Sequence, residues 1–451
     1  MKFFHHKNII FSYTILLLLG WISLTSAHEV NKGAVALLIA KNETGKTVGT
    51  GSGFVVQPDG TLVTNYHVLV DAHSVKAYFP NGTQVDVIGI RNIDRVRDFA
   101  VLELEKGFYS TLELGDSTSL QAYDYTSALG YLSENVKENN GTVEGIVAQT
   151  YGFVLGIHPQ AIPDVPFIYT TTAFGSGFSG GPLVNQSNKV VGIATIEGRS
   201  INLAIPIQFV KPFLNEKSSF SFQELLQQDK KSKEAMYYRG NFYLYGLGDP
   251  NKAIDEFEKI LIQDPNFTLA HYDLAVAYRD LGMEDEAIQQ YEKTIELQPN
   301  FPEALSNLGS YYFRSGKVEQ AKDMFEKAIK VYPNFIQGLS NLGAVLNKLG
   351  HPEEAIPHLK KTLELNPEFA IASFNLGNAQ FALNRFEEAQ KSYERSTELG
   401  LDFLSMHWKL YEIHLTRKAY KSAEKELQTI LQMDPLNEEA QKKLSVLPKT
   451  H

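Results

Sequence analysis

The stretch Gly175-Ser176-Gly177-Phe178-Ser179-Gly180-Gly181-Pro182 sets Ser179 among glycines and a proline. Glycine reaches backbone angles closed to other residues and lets another backbone approach closely. A serine hydroxyl is a weak nucleophile until a base removes its proton and fixed N–H donors stabilise the oxyanion that forms. A loop of this composition can turn the backbone N–H groups of Gly177 and Ser179 inward as that oxyanion hole. In isolation G-x-S-G-G is only a glycine turn. Here two suitable partners lie upstream.

The first partner is His67. It follows Leu62-Val63-Thr64-Asn65-Tyr66 at the polar end of a strand-like run, itself preceded by Gly51-Ser52-Gly53-Phe54-Val55-Val56. His28, His73 and His158 have no comparable frame. The second partner is Asp98, at the start of the apolar run Phe99-Ala100-Val101-Leu102. A carboxylate there can be partly buried, hydrogen-bond one imidazole nitrogen and fix the tautomer of the base. Asp94 is the rival, but it stands in the charged stretch from Arg91 to Arg97 and reads as a solvated loop residue.

The elements that must hold these residues are short. Val35 to Ile39, Gly53 to Val56, Thr61 to Thr64, Val85 to Ile88, Ala100 to Leu104, Gly141 to Gln149, Phe167 to Thr172, Val190 to Ile196 and Ile201 to Ile205 are candidate strands. Asp59-Gly60, Asn81-Gly82 and Asn140-Gly141 punctuate them as turns. No long helical period precedes Pro212. Paired antiparallel barrels or a sandwich follow.

Thr64-Asn65-Tyr66-His67-Val68, Asp98-Phe99-Ala100-Val101-Leu102 and Gly177-Phe178-Ser179-Gly180-Gly181-Pro182-Leu183-Val184-Asn185 resemble the three catalytic blocks of trypsin-like serine proteases. The HtrA/Deg branch, exported or organelle-borne and free of disulfides, is the nearest likeness, over roughly residues 30 to 212. The resemblance implies a chymotrypsin-like double six-stranded β-barrel with the site in the cleft between barrels, and peptide-bond hydrolysis through an acyl-enzyme. Gly177-Phe178-Ser179-Gly180-Gly181 also fits the G-x-S-x-G elbow of α/β-hydrolases. That fold needs the order Ser, acid, His, whereas the order here is His, Asp, Ser.

Departures from the family are informative. Phe178 stands where trypsin has an aspartate that pairs with a new N-terminus, so activation by that ion pair is not available. The resemblance places the pocket floor at Ala173 and the pocket wall at Ile196-Glu197-Gly198, beside Phe174. An uncharged floor favours a small or medium apolar side chain over Arg or Lys, with Glu197 the polar exception.

The second half repeats. Ala253, Ala287, Ala321, Ala355, Ala389 and Ala423 recur at a constant interval of 34 residues, with Pro265, Pro299, Pro333, Pro367 and Pro435 in a second phase. Gly248, Gly282, Gly316 and Gly350 mark a turn within each unit, and Asn384 and Lys418 replace it in the last two. Such a period means helix–turn–helix units stacked into a solenoid. It resembles a tetratricopeptide (TPR) array, an all-α superhelix of six repeats. In that family the first helix of each pair lines the inner groove. This implies a peptide groove bearing Tyr272, Phe313, Asn347, Phe374, Asn378 and Phe381.

Composition narrows the class. At 451 residues the chain exceeds one ordinary core. A net charge of −10 without a basic cluster beyond the N-terminus disfavours nucleic acid, and the absence of cysteine excludes disulfides and thiolate sites. Lys2 and Lys7, the apolar run Ile9 to Leu24 and the small residues Thr25-Ser26-Ala27 read as an export signal cleaved after Ala27, with an uncleaved anchor as the alternative.

The expected layout is a signal peptide over 1–27, the protease domain over 28–217, a linker over 218–234 that can form a short helix rather than a floppy tether, six repeats over 235–437, and a capping helix and tail over 438–451. The expected function is that of an exported serine endopeptidase, periplasmic or secreted, with His67, Asp98 and Ser179 as its triad and no cofactor or metal. Its partners would be polypeptide substrates and a protein held by the repeats, with no stable membrane insertion once the signal is cleaved. A homo-oligomer is compatible with this layout. The alternative is a catalytically silent scaffold that presents the repeats.

Overall fold

The computed structural model describes residues 30–139, 142–162, 165–197 and 201–448. The expected signal peptide lies outside them. The chain divides into two compact units between Asp249 and Pro250.

In the first unit, short β-branched runs separated by turns close into two barrels. The first has the order β1-β2-β3-β6-β5-β4, from β1 (Val35–Lys41), β2 (Thr47–Gln57), β3 (Thr61–Thr64), β4 (Ser74–Tyr78), β5 (Gln84–Asp94) and β6 (Phe99–Leu104). After β7 (Tyr125–Tyr131) comes a small two-stranded sheet of β8 (Lys137–Asn139) and β9 (Thr142–Glu144). The second barrel has the order β10-β11-β14-β13-β12-β7, adding β10 (Val147–Ile162), β11 (Val165–Thr170), β12 (Pro182–Asn185), β13 (Val190–Glu197) and β14 (Ile201–Pro206). The run expected as one strand over Gly141 to Gln149 is broken at Gly145 and Ile146, between β9 and β10.

The stretch 218–234, expected as a linker, packs with the first unit. Ser221 opens helix α1 (Phe222–Asp229) through a capping box with Glu224, and Ser232 caps α2 (Lys233–Asn241). Phe222, Leu225 and Ala235 are buried in one cluster with Leu38, Tyr66, Val68 and Leu102 of the first barrel. Burial of these apolar side chains is what joins the helices to the barrel. A single turn of π-helix follows at Phe242–Gly246.

The second unit is all α. Its helices are α3 (Pro250–Gln263), α4 (Thr268–Asp280), α5 (Glu284–Leu297), α6 (Pro302–Arg314), α7 (Val318–Val331), α8 (Ile336–Leu349), α9 (Pro352–Leu365), α10 (Ala370–Ala382), α11 (Phe386–Glu398), α12 (Leu404–Thr416), α13 (Tyr420–Met433) and α14 (Glu438–Val446). The six phased alanines are fully buried, as close helix packing requires. The turn positions are left-handed, including the two without glycine: Gly316 has φ 78°, Asn384 φ 56° and Lys418 φ 57°. Asn tolerates this conformation better than most residues do, while Lys418 bears a steric cost for keeping the phase.

Candidate active site

His67 begins a short 3-10 turn, His67–Leu69, just after β3. Asp98 stands before β6, and because β3 pairs with β6 antiparallel the two loops meet at one end of the first barrel. Asp98 is 4% exposed and has φ 58°, an unusual conformation for aspartate. Asn65 Nδ2 and Tyr66 N hold it there by donating to its carbonyl at 2.8 and 3.3 Å.

The carboxylate of Asp98 is fully engaged. Oδ1 accepts from the backbone N–H of His67 at 2.9 Å, and Oδ2 accepts from His67 Nδ1 at 2.7 Å. Thr195 Oγ1, from β13 of the second barrel, donates to Oδ2 at 3.2 Å. An ionised carboxylate only accepts, so Nδ1 carries the proton and Nε2 presents a lone pair. Asp94, the rival carboxylate, is taken by Arg97: Oδ2 accepts from Nη1 at 2.6 Å and Oδ1 from the backbone N–H at 2.8 Å.

Ser179 reaches this corner from the second barrel. Ser52 N donates to Ser179 O at 2.7 Å, and Gly180 lies so close to Ser52, Thr64 and Asn65 that an added Cβ would clash. The residue after the serine therefore abuts the residue two before the histidine. Gly177 and Gly180 have φ 98° and 86°, the left-handed region where glycine is required. Phe178 is fully buried in the core of the second barrel with Leu183 and Val191, so the apolar residue in trypsin's aspartate position anchors the loop. The backbone N–H groups of Gly177 and Ser179 meet no acceptor among the described residues, and the Ser179 hydroxyl makes no hydrogen bond among them.

Two further residues were not singled out from the sequence. Thr195 lies 97 positions from Asp98 and only tertiary structure joins them. Ser52 donates its hydroxyl to Gly177 O at 2.7 Å and accepts from Tyr131 N at 2.9 Å, tying the glycine loop to β7.

Ala173 is exposed, with its carbonyl accepting from Thr150 Oγ1 at 2.6 Å. Phe174 is half-buried against the second barrel's core. Ile196 and Glu197 pair with Asn202 and Ile201 at the end of β13. Their side chains, and Gly198 as a whole, lie outside the described residues. Among the described residues no group of three or more His, Asp or Glu is placed to hold a metal ion.

The six groove residues of the helical unit are half-buried, and several are already engaged. Tyr272 stacks on Phe301 with ring centroids 4.8 Å apart, and Phe374 packs edge-on to Phe403 at 4.9 Å. Asn347 donates to Asn375 O at 2.8 Å, and Asn378 Oδ1 accepts from Tyr393 and Lys409 at 3.0 and 2.6 Å. Phe313 packs on the core around Phe325, and Phe381 lies against Phe386.

Comparison with known proteins relates each unit to a known kind of domain. Residues 51–193 match the model of the trypsin-like peptidase domain, while tetratricopeptide repeat models match 244–292, 302–335 and 346–412, and a TPR repeat model matches 277–316. The chain joins a trypsin-like peptidase domain to TPR repeats.

Among its relatives, serine protease HTRA1B of Danio rerio is 35% identical over 173 residues, covering 38% of this chain and 35% of its own. Serine protease HTRA2, mitochondrial, of Bos taurus is 37% identical over 172 residues, covering 37% of this chain and 36% of its own. A probable periplasmic serine endoprotease, DegP-like, of Rickettsia conorii is 32% identical over 180 residues, covering 38% and 34%. The chain thus spans about a third of the length of these relatives. Among solved structures, the HtrA-type protease AlgW with tripeptide aligns at TM-score 0.37 and 23% identity, over 45% of this chain and 64% of that one. The peptidase domain is a double six-stranded barrel, and the TPR region is the helical unit that follows.

Proposed function

We propose that the chain is an exported serine endopeptidase that cuts polypeptides through an acyl-enzyme, with the TPR repeats binding a protein partner. The hydrogen-bonded His67–Asp98 pair beside the glycine loop of Ser179 carries this reading. Ser179 Oγ attacks the scissile carbonyl carbon while His67 Nε2 takes the hydroxyl proton. Electrons move onto the carbonyl oxygen, which meets the unengaged N–H groups of Gly177 and Ser179. One such donor is worth roughly 100- to 1000-fold in rate. The imidazolium, stabilised by Asp98, gives its proton to the leaving amine, and water then repeats the sequence on the ester.

Export is supported by the basic-then-apolar start of the chain and by the periplasmic relative. No described helix is long and apolar enough to cross a membrane. The uncharged Ala173 favours cleavage after aliphatic residues. Half-buried Tyr272 and Phe374 with amides such as Asn378 suit a polypeptide partner in the repeat groove.

The deciding experiment is reaction of the full chain with a fluorophosphonate probe, with the modified residue located by mass spectrometry. Labelling is expected on Ser179 and absent from Ser179→Ala. A protein that cleaves unfolded casein at the parent rate after Ser179→Ala would overturn the mechanism, and an unlabelled parent would favour the silent scaffold.

A further inference from the structure

The helix that opens the first 34-residue repeat by phase, α2, belongs to the peptidase unit, and one of its residues touches the base. The ring of Tyr238 lies 6.0 Å from the His67 imidazole at an interplanar angle of 31°, and edge-on to Tyr66 at 5.6 Å. Its hydroxyl donates to the carbonyl of Arg95 at 3.1 Å, three residues before Asp98. Tyr238 therefore contacts both the loop that carries the histidine and the loop that carries the aspartate.

Neighbouring contacts fix that placement. Arg239 Nε donates to Asp71 Oδ2 at 3.2 Å, just beyond the His67 turn. Arg95 Nε donates to Asp229 of α1 at 2.8 Å, with the carboxylate 2% exposed, and the guanidinium lies over the Tyr66 ring at 5.4 Å. Two successive helices thus grip both catalytic loops. Truncating either side of a buried ion pair leaves an uncompensated charge, so the grip is not easily opened.

We propose that Tyr238 is a positioning residue for His67: its ring walls one face of the imidazole and its hydroxyl pins the loop of Asp98, so that the pair is held in the geometry the serine needs. The proposal rests on the reading of His67 as the general base. The carboxylate of Asp98 fixes one edge of the imidazole through Nδ1, and an aromatic wall restricts rotation about the remaining freedom. A displacement of about 1 Å at a reacting group can cost on the order of 100-fold.

The test uses the full chain with Tyr238→Phe, Tyr238→Leu and Tyr238→Ala. Phe keeps the ring and loses one hydroxyl contact, so its rate of fluorophosphonate labelling should stay within about threefold of the parent. Ala should label roughly 10- to 100-fold more slowly when both proteins are assayed well below their melting temperatures, with Leu between them. A second measurement does not depend on catalysis. In the Ser179→Ala background, the His67 ring protons should lose an aromatic ring-current shift when Tyr238 becomes Ala or Leu, and keep it with Phe. If the parent is not labelled but the ring-current shift is present, the catalytic reading fails and the contact stands. If the parent is labelled while Tyr238→Leu and Tyr238→Ala match it in rate and in His67 shift, the positioning role is refuted.

Discussion

Replacing Asp98 by Asn tests the chemistry most sharply, because the structure dictates how the amide must sit. Oδ1 of Asp98 accepts from the His67 backbone N–H at 2.9 Å, so this site needs an acceptor and will take the amide oxygen. The opposite orientation would set NH2 against N–H and leave a buried donor unsatisfied, costing about 1–3 kcal/mol. The amide NH2 then occupies the place of Oδ2, facing His67 Nδ1 at 2.7 Å, while the Thr195 hydroxyl can rotate to accept from it. Nδ1 must become the acceptor, which moves the ring proton to Nε2. A protonated Nε2 cannot take the proton of Ser179. The fold is preserved and the base is lost. The expected fall is about 10,000-fold, or about 5.5 kcal/mol at 1.36 kcal/mol per decade. It would be read as the rate of fluorophosphonate labelling and of casein cleavage, with the melting temperature as the control for folding. An Asp98→Asn protein that folds and reacts within about tenfold of the parent would show that the tautomer of His67 does not matter and that the triad assignment is wrong.

Thr195→Val removes one donor to the same carboxylate; a hydrogen bond to a charged group is worth about 1.5–3 kcal/mol, so activity should fall roughly 10- to 100-fold, and parent activity would deny Thr195 a role. Gly180→Ala forces a side chain into φ 86° against Ser52 and Thr64. Overpacking of about 1–3 kcal/mol adds to the left-handed cost of about 1–2 kcal/mol, and calorimetry should show a lower melting temperature together with lost labelling. In the TPR region, hydrogen bonding to Glu426, and then to Asp402, raises the pKa of His407. The folded array holds this proton more tightly than the unfolded chain does. Its contribution is therefore complete below about pH 6.5, the value of a free imidazole, and is lost as pH rises through the raised value. His358 and His414 are shifted downward by burial and act in the opposite sense, so the comparison must be with His407→Gln. That variant should lose melting temperature at pH 5.5 relative to the parent and much less at pH 8.5; an equal loss at both would refute the linkage.

What could be read from the sequence follows from how local each signal is. The serine loop announced itself because Gly177 and Gly180 need conformations that few other residues accept, and His67 and Asp98 each sit beside a recognisable strand. The repeat phase was plain because close helix packing demands a small residue at Ala253 and its five counterparts. Thr195 and Ser52 were invisible, since a lone hydroxyl on a strand gains its role from a partner tens of residues away. The junction was a different case. Ser221-Phe222-Gln223-Glu224 is a capping box visible in the sequence, and the apolar Phe222 and Leu225 lie on one face of the helix it starts. With its polar neighbours, Gln227-Gln228-Asp229-Lys230-Lys231, the stretch reads as a junction that can form a short helix, but nothing local shows that the helix packs on the first barrel. The attachment of α2 to the first barrel could not be inferred at all, because Tyr238 shares the repeat phase of Tyr272 and Phe374, which points to the inner groove rather than to the barrel.

On the proposed mechanism, the strained backbone of the site is what lets few residues suffice. Asp98, Gly177 and Gly180 all have positive φ, and for Asp98 this costs of order 1–3 kcal/mol that a relaxed loop would avoid. The strain persists because the surroundings over-determine it: two donors grip the Asp98 carbonyl, three grip its carboxylate, and β3 and β6 fix both ends of the approach. Placed this way, the carboxylate meets the imidazole edge and its own residue's N–H at once, with no rearrangement left for the moment of reaction. The same holds for the N–H groups of Gly177 and Ser179, whose loop is fixed by the buried Phe178 and by the Ser52 hydroxyl rather than by substrate. Preorganised dipoles stabilise a developing charge most when turning them costs nothing at that point, so on the proposed mechanism the folding of two barrels around these loops would supply much of the rate.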